Sequence, residues 1–307
     1  MSVTSLKEEY ELLIIGGGPA GLTAAAYATR KRIETILISE DLGGKTNYEF
    51  NLPDVDTNLI IDGQELVSKF KNQIQYLDFA RHIGKVTKFG RKRNRFIATT
   101  SDRTFNARAA IIATGVTPKS LNIPGEKEFL GHGVTYSTAS HAPVFVDMEV
   151  TVVGEGKQAL QAAAELAKIA KKVSIIGVPR KYANSPLGKK IIESGKAVFL
   201  SDCHLKEIIG EKSPDRIVVS KKDGKENVIL VRGVFIEMGY IPNSQLFARI
   251  VKTTRDGRIK VDENNQTNLR GLFAAGDVTD VQSQQVLIAI GEGANAALNA
   301  YDYLIGA

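Results

Sequence analysis

Gly16, Gly18 and Gly21 stand as G-x-G-x-x-G between the apolar run "ELLII" and the alanine-rich "LTAAAYATR". That spacing suits phosphate chemistry. The first glycine permits a tight turn, the second lets the backbone approach a pyrophosphate, and the third lets a helix pack closely on a strand. Pro19 and Ala20 complete the turn, and amides at a helix start meet phosphate charge. Glu40 follows Gly21 by about 20 residues, beside Ser39 at the end of "TILIS", where an acid takes ribose hydroxyls. A second set, Gly154, Gly156 and Ala159, lies in "EVTVVGEGKQALQAAAELA" with Lys157 and Gln158. There Glu155 puts an acid inside the phosphate loop, and Lys157 offsets it.

The elements that must position these residues occur twice: an apolar strand, a glycine loop, an alanine-rich helix and a second strand. The fold class is therefore α/β, with two Rossmann-like three-layer dinucleotide-binding domains. The 307 residues are enough for two domains, and 43% hydrophobic with 24% charged residues is a globular composition. No apolar run reaches the roughly 20 residues that span a bilayer. The N-terminus, with acids ahead of a short apolar run, is unlike a secretory signal, so the expected location is the cytoplasm.

Cys203 is the single cysteine. It excludes a disulfide framework within this sequence and a four-cysteine metal site. It reads as a buried structural thiol, and neighbouring His204 has no companions at metal-ligand spacing, so no metal is expected. The net charge of +6 is partly local, because "RHIGKVTKFGRKRNR" (Arg81–Arg95) holds seven Lys or Arg. This run reads as a solvated hairpin of strands "KVTKF" and "RFIATT" with "GRKRN" at its tip, so nucleic acid is not an expected partner.

Further segments carry a family resemblance. "GGGPAG", "GGKTNYEFNLPD", "AAIIATGVTP", "FIEMGYIPN" and "GLFAAGDVTDVQSQQVLIAIGEGANAALNAYDYL" resemble, in that order and over nearly the whole chain, the low-molecular-weight thioredoxin reductases, flavoproteins with two dinucleotide-binding domains. The resemblance implies a split FAD domain, residues 1–116 plus 244–307, enclosing an NAD(P)-binding-like domain at 117–243. It implies FAD held by Gly16, Gly18, Pro19, Ala20 and Gly21, with Ser39 and Glu40 near the adenosine ribose and Val86 at the adenine. Gly44, Lys45 and Asn51 match the positions beside the flavin, with lysine and Leu52 replacing the family's glutamine and tryptophan. Ala113, Thr114 and Gly115 end the strand that leads out of this domain. Gly276 and Asp277 would meet the ribityl chain, and Gln285 with Val286 would open a helix toward the pyrimidine side of the ring. Asp277 also reads as an N-cap of that helix. The family's two domains rotate about two connecting strands, for which "ATGVTP" and "GYIPN" supply glycines and prolines. A homodimer is implied as well.

The same resemblance puts Ser137 and Ser140 of "YSTASHAP" on the positions of the redox cysteines, and His141 on that of the acid that follows them. A hydroxyl forms no disulfide and is a poor nucleophile beside a thiolate. Reduction of thioredoxin by the family mechanism is thus not expected, and His141 remains a possible proton donor. The arginines that read an NADPH 2′-phosphate are replaced by "GVPRKYA", in which Arg180 and Lys181 are displaced from the matching positions. NADP(H) or NAD(H) stays open. Two functions fit: an FAD oxidoreductase passing electrons between NAD(P)H and a non-disulfide acceptor such as an acidic ferredoxin, or a noncatalytic flavin-binding regulator.

Overall fold

A strand buried on both faces by helices needs an unbroken apolar run, and "ELLII" forms one. The computed structural model describes residues 8–55, 63–77 and 80–306. In chain order, β1 (Glu9–Ile15), α1 (Pro19–Arg30), β2 (Thr35–Ser39), α2 (Gly63–Tyr76), β3 (Arg81–Ile83), β4 (Lys88–Lys92), β5 (Arg95–Thr99) and β6 (Thr104–Ile112) precede the short β7 (Val116–Pro118). Next come β8 (Val134–Thr135), α3 (Thr138–His141), β9 (Glu149–Val153), α4 (Lys157–Ile169), β10 (Lys172–Ile176), α5 (Arg180–Ala183) and α6 (Pro186–Glu193). Then follow β11 (Ala197–Leu200), β12 (Cys203–Gly210), β13 (Pro214–Lys221), β14 (Glu226–Leu230), β15 (Gly233–Ile236), β16 (Tyr240–Pro242), β17 (Leu272–Ala274) and α7 (Val286–Ile305).

The chain divides into two compact units, with boundaries at Thr117/Pro118 and Tyr240/Ile241. Strands β7 and β16, in which the chain crosses these boundaries, pair with each other as a two-stranded ribbon. Residues 48–55 cluster with the second unit rather than the first. Among them, Leu52 is 1% exposed in the same apolar cluster as Val150, Val152 and Phe235.

The first unit is built on a sheet ordered β3-β2-β1-β6-β5-β4. The long β6 pairs parallel with β1 along one edge and serves two partners along the other: Thr104–Ala107 pairs antiparallel with β5, and Ala110–Ile112 pairs parallel with β17. Leu22, Ala24, Phe273, Ala296 and Ala300 form the core under α1 and α7, and Leu13, Phe96, Phe105 and Phe247 form another cluster. Small residues let α1 and α7 approach, since a Cβ on Gly293 would lie 2.1 Å from the Ala20 carbonyl oxygen. Strands β4 and β5 form the expected hairpin, turned at Arg93 and Asn94, both with positive φ. Its first strand begins three residues later than the "KVTKF" reading places it, because the β5 register pairs Lys88 with Thr99.

The second unit has a parallel sheet ordered β11-β10-β9-β15-β8 and an antiparallel β12-β13-β14 sheet. In the parallel sheet Val153, Ile176 and Leu200 end in register, so the strands' carboxyl ends form one edge. Helix α4 buries Ala163 and Leu166 with Val152 and Ile175, while Cys203, 4% exposed, packs with Ile208, Ile217 and Val234.

Candidate functional site: two glycine cradles

In the first unit each glycine has a distinct geometric duty. Gly16 has φ +112 and faces the backbone of β6's end: a Cβ there would lie 2.3 Å from the Ala113 oxygen. On Gly21 a Cβ would meet the Gly16 oxygen at 1.8 Å, whereas on Gly18 it would meet nothing within 4 Å. Gly18 is therefore open to a ligand while its neighbours are closed by protein. Gly18 is also the N-cap of α1, with Pro19 next and no side chain capping the helix start. The cradle fits a pyrophosphate on backbone amides. Ser39 ends β2 beside Gly17, and exposed Glu40 pairs with Lys85 at 3.3 Å. Val86 packs at the margin of the β-face cluster.

The Gly43–Gly44 turn closes over this cradle, with Gly43 N–H donating to Gly17 O (2.7 Å) and Gly44 N–H to Asp41 Oδ1 (2.9 Å). Lys45 follows, and its Nζ lies 2.6 Å from Asp277 Oδ2. Asp277 sits after Gly276 (φ +77), whose position admits little more than glycine because Ala20 Cβ would be 3.0 Å from an added Cβ. Two residues not anticipated from sequence hold this turn. Glu292 of α7 accepts from Gly276 N–H at 2.6 Å, and Arg258 donates to Asp277 O at 3.0 Å. Burial pushes the Glu292 carboxyl up, although the Gly276 and Thr279 hydrogen bonds oppose this. A lone acid in the otherwise apolar "VLIAIGEGANAALNA" was the available signal for Glu292.

Helix α7 starts at Val286 with Gln285 as N-cap, so Asp277, well upstream in the turn, does not cap it. Thr114 and Gly115 are tied to Asn243: Thr114 Oγ1 donates to Asn243 O (2.7 Å) and Asn243 N–H to Gly115 O (3.0 Å). Asn51 belongs to the second unit, its N–H donating to Gly131 O at 2.7 Å.

In the second unit the fingerprint repeats with the same division of duties. A Cβ on Gly154 would lie 2.5 Å from Glu237 O, and one on Gly156 would meet nothing within 4 Å. Gly156 is the N-cap of α4, with Ala159 fully buried and Glu155, Lys157 and Gln158 exposed at the helix start. Arg180 and Lys181 begin α5, just past the end of β10, and Arg180 pairs with Asp202 at 2.5 Å.

Ser137 and Ser140 also lie in this unit. Ser137 Oγ donates to Ser140 Oγ at 2.8 Å. Between them Thr138 donates both N–H (3.1 Å) and Oγ1–H (2.6 Å) to Glu237, whose carboxyl burial pushes up. His141 Nδ1 lies 2.6 Å from Thr135 Oγ1, and its ring stacks on Phe50 with centroids 4.3 Å apart. Burial pushes the His141 pKa down to about 4. The ring is therefore neutral near pH 7, a hydrogen-bonding and packing group rather than a charged acid. Tyr136 donates to the buried Glu126 at 2.9 Å.

Among the described residues no His, Cys, Asp and Glu cluster has metal-site geometry, and no helix is long and apolar enough to cross a membrane.

The chain is similar to known proteins. A protein called NADH dehydrogenase from Bacillus subtilis strain 168 is 32% identical over 302 residues, which is 97% of this chain and 59% of that protein. A component of the alkyl hydroperoxide reductase of Staphylococcus aureus strain MRSA252 is 32% identical over 303 residues, 97% of this chain and 60% of that one. The chain thus spans about six-tenths of the length of the curated relatives it matches. The crystal structure of thioredoxin reductase from Streptococcus pyogenes MGAS5005 superposes with a TM-score of 0.87 at 30% identity, covering 98% of this chain and 99% of that one. Residues 10–293 match the pyridine nucleotide-disulphide oxidoreductases, and the chain belongs to that family.

Proposed function

We propose that the chain is an FAD-dependent NAD(P)H oxidoreductase that passes electrons to an acceptor other than a disulfide, such as an acidic ferredoxin. The observation carrying this reading is the pair of open cradles at Gly18 and Gly156 combined with serines at 137 and 140. Family membership implies FAD and a nicotinamide nucleotide, and the cradles suit them. FAD accepts a hydride and releases single electrons without a protein thiol. Gly16–Gly21 would hold its pyrophosphate, while Glu292 and Arg258 fix the Asp277 turn for the ribityl hydroxyls. The α7 N-terminus offers its positive dipole end to negative charge. Gly154, Gly156 and the start of α4 would hold the nicotinamide nucleotide.

The basic hairpin β4–β5, with Lys88, Arg91, Lys92 and Arg93 exposed, suits an acidic acceptor by charge. A homodimer working in the cytoplasm completes the proposal, on the family's resemblance. The test is steady-state oxidation of NADH and NADPH with ferredoxin or a dye as acceptor. Turnover that survives Ser137→Ala and Ser140→Ala is expected. Flavin binding without turnover toward any acceptor would instead favour a noncatalytic flavin-binding role, for which Glu155 in the phosphate loop is the supporting observation.

A further inference from the structure

In a doubly wound sheet, ligands bind outside the carboxyl ends of the strands, and the ribose lies past the end of the strand that follows the glycine loop. In the second unit that strand is β10. It ends at Ile176, in register with Val153 of β9 on one side and Leu200 of β11 on the other. Gly177, immediately beyond, has φ +80, and an added Cβ would stand 3.2 Å from the Gly154 oxygen, so the chain here runs against the glycine loop. Arg180 follows at the start of α5, the first basic residue after the end of β10.

Arg180 already has an anionic partner. Its guanidinium NH2 is 2.5 Å from Asp202 Oδ2, and Asp202 lies just past the end of β11 on the same sheet edge. Both side chains are exposed, at 78% and 55%, so solvent screens the pair and little holds Arg180 in place. A 2′-phosphate could draw Arg180 away, but the Asp202 carboxylate would remain beside it. The Arg180 guanidinium, with Lys222 adding to it, holds the Asp202 carboxyl below its ordinary range, so it stays ionised at working pH. A phosphate monoester carries nearly two negative charges near neutrality. A ribose 2′-hydroxyl instead carries none, and it can donate a hydrogen bond to a carboxylate.

We infer that Asp202 is a specificity residue of the nucleotide site, selecting NAD(H) over NADP(H) by occupying Arg180 and placing a carboxylate where the 2′-phosphate would lie. The inference rests on the second cradle binding a nicotinamide nucleotide, as proposed above. It differs from the usual arrangement in that the acid comes from the end of β11, one strand beyond β10. Lys181 adds no competing pull in this geometry, because its Nζ is turned over the Tyr182 ring at 5.2 Å.

The test is equilibrium binding of NADH and NADPH, by fluorescence titration of the flavin-loaded protein, to the wild type, Asp202→Asn, Arg180→Ala and the double variant. The wild type should favour NADH. Asp202→Asn should lower the NADPH-to-NADH ratio of dissociation constants by about tenfold or more, the scale of one charge-assisted hydrogen bond. On the Arg180→Ala background the same change should do less, because the freed guanidinium supplies part of the effect. Retention of both nucleotides with a ratio unmoved by Asp202→Asn overturns the role of Asp202. Failure of both nucleotides to bind any variant overturns the nucleotide site itself, and the role of Asp202 with it. Flavin content, unchanged across the series, reports that the exposed substitutions leave the fold intact.

Discussion

Lys45 Nζ and Asp277 Oδ2 are 2.6 Å apart, joining the turn after β2 to the turn before α7. Asp277 is only 11% exposed and is held from behind by Arg258 and, through Gly276, by Glu292. The Asp277 carboxylate is thus held in place by the protein itself, and under the proposed function it would accept from a flavin hydroxyl. Asp277→Asn should weaken FAD binding by about 10- to 100-fold, the range for losing a charged hydrogen bond. Flavin content after purification, and rebinding by fluorescence quenching, measure it. Unchanged affinity would remove Asp277 from the site.

The two cradles can be separated by a single substitution. Gly156 has extended backbone angles, and an added Cβ meets nothing within 4 Å, so Gly156→Val should fold normally and fill only the ligand's space. Nucleotide binding should drop more than about tenfold, because a side chain keeps the pyrophosphate from the α4 amides. Flavin content should not change. Gly154→Ala should behave differently, as its Cβ would collide with Glu237 O, and thermal unfolding is expected to report the strain.

His141 imposes a pH dependence on stability. Its imidazole pKa falls from the ordinary 6.5 to about 4 in the fold, by burial. Between those values the unfolded chain binds a proton that the native chain refuses, so stability falls as pH falls from 6.5 toward 4. By pH 4.5 the loss from this residue is about 2–3 kcal/mol. Urea unfolding of wild type and His141→Gln at pH 7 and 4.5 should show a smaller acid-induced loss in the variant. Equal losses would mean that the ring is protonated at little cost where it lies.

The hydroxyls of Ser137 and Ser140 meet at 2.8 Å, so thiols there would be near bonding distance. The Ser137→Cys, Ser140→Cys protein should form an intramolecular disulfide on mild oxidation, leaving one titratable thiol, Cys203, after denaturation. Three titratable thiols after oxidation would show that the segment does not bring the two positions together. The unmodified chain should not reduce thioredoxin, whether or not Cys203 is replaced by alanine.

Much of this was legible in the residues. The glycine spacings located both cradles because each position answers to a backbone collision or an opening that glycine alone allows, and the apolar runs located their strands. What escaped were partners that meet through the fold. Glu292 reaches Gly276 from within a helix, Asn243 reaches Thr114 from across the insertion, and Asp202 meets Arg180 only because β10 and β11 are adjacent. No local pattern encodes such pairings. Segment 48–55 misled for a related reason. It follows the Gly43–Gly44 turn directly, yet Leu52 is buried with the second unit, and burial rather than chain proximity decides where a short loop belongs.

That placement of Leu52 bears on modular engineering. The ribbon of β7 and β16 brings the two ends of residues 118–240 side by side, which invites excision of the insert by splicing Thr117 to Ile241. The cut would not be clean. The spliced protein would keep Tyr48–Val55 while losing the surface that covers Leu52, Phe50 and Val55. A minimal flavin module made this way would carry a sticky apolar tag and aggregate unless that stretch were recoded with polar residues or shortened.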